Sequence, residues 1–252
     1  MVRLGQNFLA DPNLLDAIVR DAELRGDEVL LEVGAGEGVL SERLADVVPR
    51  LHVIEIDRRL EGALAHLIAR PNVSLHWGDA MQVDLAALDP VPTAVVANLP
   101  YAVATPLILR TIEELPSLQR WTVMVQREIA DRLRATPGGK TYGSPSVLVQ
   151  LACEVQMLRK VDPAVFKPRP RVESAILALR RTGPAADAET RALVRAAFAH
   201  RRKALARSVD LIRPGSLAMV RAALTELGLP ESARAEQLSP EEFRALARGL
   251  SR

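Results

Sequence analysis

Asn98, Leu99, Pro100 and Tyr101 follow directly on Ala94-Val95-Val96, an apolar run that reads as a buried strand of a parallel sheet. Asn98 therefore stands where a strand ends, and ligands of open α/β sheets bind outside the carboxyl ends of the strands. Its side chain offers an amide oxygen acceptor and an amide donor. Pro100 fixes its own φ and pushes Leu99 towards an extended conformation, so the carbonyls here have a set direction. Tyr101 adds a flat ring. An acceptor, a directed carbonyl and a stacking ring suit a planar molecule with an exocyclic amino group, and adenine is such a molecule. The same four residues also fit a strand, a proline turn and a half-buried tyrosine.

Other stretches bear on that choice. Val29-Leu30-Leu31-Glu32-Val33 reads as a buried strand, followed by Gly34-Ala35-Gly36-Glu37-Gly38 and a helix from about Leu40. The turn fails the dinucleotide fingerprint, because the third glycine would fall at Val39. What remains is backbone brought close to a ligand at a helix N-terminus, which suits a carboxylate or an adenosine moiety. Glu55 closes the next strand, Leu51 to Ile56, about 20 positions further on, the spacing at which a carboxylate takes ribose hydroxyls. Asp57 is its near alternative. A third strand, Val73 to His76, leads into Gly78-Asp79-Ala80. There Asp79 would accept from an adenine amino group beside Ala80, or else cap the following turn. Before any of these, Leu4-Gly5-Gln6-Asn7-Phe8-Leu9 reads either as an N-terminal segment docked on the core or as a lid, with Asn7 and Leu9 over a ligand.

At 252 residues with 48% hydrophobic side chains, the chain can bury a full α/β core. A net charge of +2 and a pI near 9.0 allow a polyanionic partner without demanding one. The placement of charge says more. Arg191, Arg195, Arg201, Arg202, Lys203 and Arg207 occupy a stretch between Glu189 and Asp210 with no acidic residue, which reads as a phosphate-contacting face of one helix running from Arg191 to Val209. Lys167, Arg169 and Arg171 are threaded through the proline-stiffened segment Phe166 to Val172, which cannot be helix or central strand. Phe166 is there either a core anchor or a second face for an extruded base. The single cysteine, Cys153, excludes an internal disulfide, and the histidines show no ligand spacing, so no metal is expected. Nor does any run have the length and apolarity of a membrane span or a secretory signal, which points to a soluble cytoplasmic protein.

Strands and helices alternate as far as residue 180. After the linker composition of Thr182 to Asp187 the pattern is helical throughout, with helices expected at Arg191–Val209, Leu217–Leu227 and Pro240–Leu250. The expected domains are therefore 1–181 and 188–252. Val147 to Leu158 carries both strand and helix signals.

Taken in order, Gly5 to Leu9, Glu32 to Gly36, Glu55, Gly78 to Ala80, Asn98 to Tyr101 and Phe166 to Ser174 resemble the motifs of the rRNA adenine N6-dimethyltransferases, over essentially the whole chain. The likeness is greater to the KsgA type than to the Erm enzymes, on Gln126-Arg127-Glu128, Tyr142-Gly143-Ser144 and Phe198 to Lys203, although Ala102 stands where KsgA enzymes carry asparagine. The resemblance implies a Rossmann-like class I methyltransferase: a doubly wound, mostly parallel sheet on 1–181 that binds S-adenosylmethionine, and a small all-helical RNA-binding domain on 188–252. It implies S-adenosyl-L-methionine held by Asn7, Leu9, Gly34, Gly36, Glu55, Asp79, Ala80 and Asn98. Catalysis would rest on Asn98, Leu99, Pro100, Tyr101 and Phe166, and RNA would meet Lys167, Arg169, Arg171 and the Arg191 to Arg207 cations.

The implied reaction is dimethylation of N6 on two adjacent adenines in the 3′-terminal hairpin of small-subunit (16S) rRNA during ribosome biogenesis, by a monomeric enzyme. The alternatives are an Erm-type enzyme acting on large-subunit rRNA and a non-catalytic ribosome-assembly factor. A nicotinamide oxidoreductase fits poorly, because Val39 breaks its fingerprint.

Overall fold

The structure is a computed structural model that describes residues 7–250. Leu4, Gly5 and Gln6 of the N-terminal motif lie outside the described residues. The chain divides into two compact units: one runs to Ala130 and takes in Val155–Arg181, and the other comprises Asp131–Glu154 and the chain from Thr182 onward.

The first unit opens with β1 (Phe8–Leu9) and α1 (Pro12–Asp21). Asp11 starts that helix by accepting the Leu14 N–H at 3.0 Å, with Pro12 in the first turn, where a missing N–H costs nothing. There follow β2 (Val29–Val33), α2 (Val39–Val47), β3 (Arg50–Glu55), α3 (Glu61–Ile68), β4 (Val73–Trp77), β5 (Ala94–Asn98), α4 (Ala104–Glu114), β6 (Arg120–Gln126) and α5 (Arg127–Leu133). After α6 (Ser144–Gln150) come β7 (Cys153–Val161), β8 (Phe166–Lys167) and β9 (Ser174–Arg181). Val147 to Leu158 is thus helix and then strand, which accounts for its mixed signal.

The main sheet has the order β4-β3-β2-β5-β6-β9-β7. From β4 to β6 every neighbouring pair is parallel, and β9 lies antiparallel on β6. The chain therefore winds outwards from β2 to β4, returns to β5 beside β2 and continues the other way. Such a reversal opens a crevice at the strand ends between β2 and β5. Leu30, Leu51, Val53 and Val96 of the strands pack with Leu15 and Ile18 of α1, Leu44 of α2 and Leu64 and Leu67 of α3 in one buried cluster. On β6, Trp121 is fully buried, and its Nε1–H donates to the Thr111 hydroxyl of α4 at 2.9 Å.

The second unit adds α7 (Ala188–Ala199), α8 (Leu205–Ile212), α9 (Leu217–Glu226) and α10 (Pro240–Leu250) to α6. Two expectations are corrected here. Asp131–Glu154 groups with these helices and not with the sheet. Tyr142 is the reason: it is fully buried, its hydroxyl donates to the Leu238 carbonyl at 2.9 Å, and its ring meets Phe198 edge-on at 6.0 Å. The single helix Arg191–Val209 is in fact α7 and α8, broken at residues 200–204 with no glycine or proline to mark it. Ser208 makes the corner, its hydroxyl donating to the Ala196 carbonyl at 2.7 Å and accepting the His200 N–H at 3.1 Å. The single helical face expected to carry the cations from Arg191 to Arg207 does not survive that break.

His52 and His76, distant in sequence, meet across β3 and β4 at 3.1 Å. The His52 Nε2–H donates to the Pro90 carbonyl at 2.9 Å, so Nδ1 is the bare nitrogen that accepts from His76. Burial holds both rings below the usual imidazole range, with the Arg50 charge acting the same way on each. The unfolded chain, with ordinary imidazoles, takes up these protons first, so the pair's contribution is lost as pH falls through and below about 6.5. Urea unfolding should show His52→Asn losing less stability than the parent between about pH 7 and pH 5, and equal losses would exclude this coupling.

Candidate active site

β2 ends in the glycine turn. Gly34 lies at φ +80° and Gly36 at +58°, conformations that cost an L side chain about 1–2 kcal/mol. A methyl on Gly34 would stand 3.3 Å from the Pro100 ring, and one on Gly36 would stand 2.9 Å from the Phe8 ring. Glycine is required at both places because the turn is approached from each side.

Glu55, at the end of β3, is 3% exposed. Its Oε2 accepts the Gly36 N–H at 2.9 Å and its Oε1 accepts the Asp57 N–H at 2.8 Å. The carboxylate is thereby fixed in orientation with lone pairs to spare. Asp57, the alternative, is engaged by Arg59 through two contacts of 2.7 Å. Glu55 lines the cavity described below and Asp57 does not. At the end of β4, Asp79 caps the following turn, its Oδ1 accepting the Met81 N–H at 2.9 Å, and the residue lines the cavity.

β5 delivers Asn98. Its Nδ2 donates to the Asn7 carbonyl at 3.5 Å, and the next residue, Leu99, donates its N–H to Met124 on β6 at 3.0 Å. The Tyr101 hydroxyl lies 2.7 Å from that of Ser174, a fully buried residue at the start of β9. Around these groups is a cavity of about 260 Å³ lined by Asn7, Leu9, Gly34, Gly36, Glu55, Asp79, Ala80 and Asn98 to Tyr101. Of the N-terminal segment, Leu9 is docked on the core, and Asn7, Phe8 and Leu9 form a cavity wall. β1 pairs antiparallel with β8, Leu9 opposite Phe166.

Phe166 is the expected site residue that the cavity does not gather. It is 2% exposed, packed with Leu9, Leu15 and Ile18, and absent from the lining. Of its two readings, the structure has the core anchor.

Glu32 lines the cavity and was not singled out for a role. Its signal was an acidic residue inside the apolar run of β2. It is 1% exposed and its Oε2 has no hydrogen-bond partner. Burial pushes its carboxyl up to about 8, opposed by the Ser41 hydroxyl and reinforced by the charge of Glu55. An orphaned buried oxygen on a cavity-lining residue is a feature that a ligand's polar group would account for.

The expected basic residues fall into different circumstances. In the first unit Lys167, Arg169 and Arg171 are exposed, with Arg169 3.7 Å from Asp162. In the second, Arg195, Arg202, Lys203 and Arg207 are exposed. Arg201 is engaged by Glu236 at 2.7 Å, and Arg191 turns back to the Ala186 carbonyl at 2.6 Å. Among the described residues no cluster of His, Cys, Asp and Glu could hold a metal, and no helix is long and apolar enough to cross a membrane.

Two solved structures share this architecture over nearly the whole chain. A dimethyladenosine transferase from Plasmodium falciparum superposes with a TM-score of 0.79 over 95% of each chain at 24% identity, a likeness of fold. The 23S rRNA methyltransferase ErmE gives a TM-score of 0.70 at 29% identity, covering 98% of this chain and all of that one. The fold is that of a class I methyltransferase. A model of the ribosomal RNA adenine dimethylases matches residues 2–250. Proteins named ribosomal RNA small subunit methyltransferase A are similar along nearly their whole length. The one from Rubrobacter xylanophilus is 44% identical over 99% of this chain and 94% of its own, and that from Pseudomonas syringae 38% identical over 99% and 94%. The chain belongs to the ribosomal RNA adenine dimethylase family.

Because the folded chain keeps a proton on Glu32 up to about pH 8 and the unfolded chain releases it near 4.5, this group stabilises the fold fully below about 4.5 and loses that contribution as pH rises through about 8. Denaturant midpoints measured across that window should decline less in Glu32→Gln than in the parent. Parallel curves would show that Glu32 is ionised throughout.

Proposed function

We propose that the chain transfers methyl groups from S-adenosylmethionine to N6 of adenines in small-subunit ribosomal RNA. One observation carries the proposal: a single cavity holds the glycine turn, Glu55, Asp79 and the Asn98-Leu99-Pro100-Tyr101 corner. The donor supplies an electrophilic sulfonium methyl group. The residues present fit such a group, on the orphaned Glu32 Oε2 and on the two glycines at which a Cβ would fill the cradle.

In this reading Glu55 takes the ribose hydroxyls with the lone pairs left by Gly36 and Asp57, and Asp79 beside Ala80 takes the donor's adenine amino group. Gly34 and Gly36 admit the methionine part, and Asn7 and Leu9 cover it. The substrate's N6 is a poor nucleophile because its lone pair is delocalised into the ring. The Asn98 amide oxygen and the Leu99 carbonyl, accepting the N6 hydrogens, favour a pyramidal nitrogen with its lone pair directed at the methyl group. Positive charge grows on N6 during transfer, so fixed acceptor dipoles lower the barrier more than they strengthen ground-state binding. The remaining acceleration is positioning, to which the Ser174 tether on Tyr101 contributes. Phe166, engaged in the core, is left out of this pocket.

The names of two curated relatives favour the small subunit. The motif resemblance adds dimethylation of two adjacent adenines in the 3′-terminal hairpin, with the cytoplasm as the place of action. Lys167, Arg169 and Arg171 of the first unit, and Arg195, Arg202 and Lys203 of the second, are the phosphate contacts proposed. Likeness to ErmE keeps large-subunit RNA as the second reading.

Incubation with labelled S-adenosylmethionine and unmethylated small or large subunits, followed by nucleoside analysis, should give N6,N6-dimethyladenosine from the small subunit alone. Label in large-subunit RNA would move the enzyme to the second reading. Asn98→Ala should lower turnover by about a hundredfold or more while cofactor affinity changes little. Near-parental turnover in that variant would sink the mechanism.

A further inference from the structure

Arg110 lies in α4, the helix whose leading residue Val103 lines the cavity. Its guanidinium is 15% exposed and reaches away from its own helix. One terminal nitrogen donates to the Ala80 carbonyl and the other to the Val83 carbonyl at 2.8 Å, while Nε is held by Glu114 one turn on at 2.8 Å. The segment receiving this fork is the turn after β4. In it the Asp79 carbonyl accepts the N–H groups of Gln82 at 2.7 Å and Val83 at 3.0 Å, and Asp79 Oδ1 accepts that of Met81. No helix follows at once to use the turn's own later carbonyls, and Arg110 supplies their donors.

The fork therefore joins two walls of the cavity, one carrying Asp79 and Ala80 and the other running from Asn98 to Val103. A planar guanidinium with donors at fixed angles holds both carbonyls at once, which a single ammonium cannot do. We propose that Arg110 is a positioning residue that sets the separation of these walls and so the fit and choice of the purine held between them. The proposal rests on the reading that Asp79 and Ala80 hold the donor's adenine, and it adds a determinant outside the cavity lining.

The test is calorimetric binding of S-adenosylhomocysteine and of its inosine analogue to Arg110→Ala, Arg110→Lys, Asp79→Asn and the parent. Arg110→Ala should lose affinity for S-adenosylhomocysteine by roughly tenfold and narrow the preference over the inosine analogue. Arg110→Lys, which keeps the charge and reaches one carbonyl at a time, should fall between and provides the reading should the alanine variant not fold. Under turnover, KM for S-adenosylmethionine should rise while kcat at saturation and KM for RNA hold, a split that general loosening of the fold would not produce. Parental affinity and preference in both Arg110 variants, with Asp79→Asn impaired, overturns the proposal and leaves the adenine reading standing. Parental binding in all three variants overturns both.

Discussion

The contact on which the site depends is the carboxylate of Glu55 accepting the Gly36 N–H. It joins the turn after β2 to the end of β3 through a charge-assisted hydrogen bond in a buried place, where such a bond is strong and its loss expensive. Gly36 can present that N–H only at its positive φ, and it holds that φ only as glycine. Phe8 then lies across the same residue, on a surface that Glu55 has already shaped. The fold and the proposed ligand geometry share one anchor here. The carboxylate that organises the protein's own backbone is the one with lone pairs left for a ligand.

That arrangement has an electrostatic consequence for its neighbour. Glu32 and Glu55 line one cavity with almost no access to water, and two adjacent buried anions repel strongly where screening is weak. Burial, more than the charge of Glu55, raises the Glu32 carboxyl. The two groups also differ in hydrogen bonding: Glu55 has two backbone donors, whereas an oxygen of Glu32 has none.

The local parts of this site were legible because each is a run whose chemistry sits inside a few residues. The glycine turn, the strand-end acid and the Asn-Leu-Pro-Tyr corner announce themselves, and the alternation of strands with helices implies a sheet whose strand ends bring them together. Glu32 stood in plain view, but an acid in an apolar strand acquires meaning only when its oxygen is found without a partner. Phe166 shows the opposite limit. Its motif suggested a stacking face, and its place opposite Leu9 in a core cluster with Leu15 and Ile18, about 150 positions away along the chain, decides its burial. The break between α7 and α8 was illegible for a similar reason. Ser208 makes that corner from beyond it, and a serine within a helical pattern carries no local sign of such a role.

The second unit shows why contiguous domains are a poor guide in such a chain. Tyr142 precedes β7 and β9 in sequence yet fills the core among Phe198 and Leu238, which follow both strands. Thr182 donates its N–H to the Ala152 carbonyl at 2.8 Å, so the chain re-enters the helical unit beside the point where it left. A segment that leaves a unit and returns next to its exit closes its loop at little additional entropic cost, because that cost grows only slowly with the residues in between. Arg201 is spent on the same task, bound to Glu236 and reaching the Gly139 carbonyl at 3.3 Å. A run of cations read as one phosphate-binding face is therefore divided in purpose. Arg201 ties the discontinuous segment into its unit and Arg207 pairs with Asp210 at 3.5 Å, whereas the exposed Arg195, Arg202 and Lys203 are the cations of that run proposed for a polyanion.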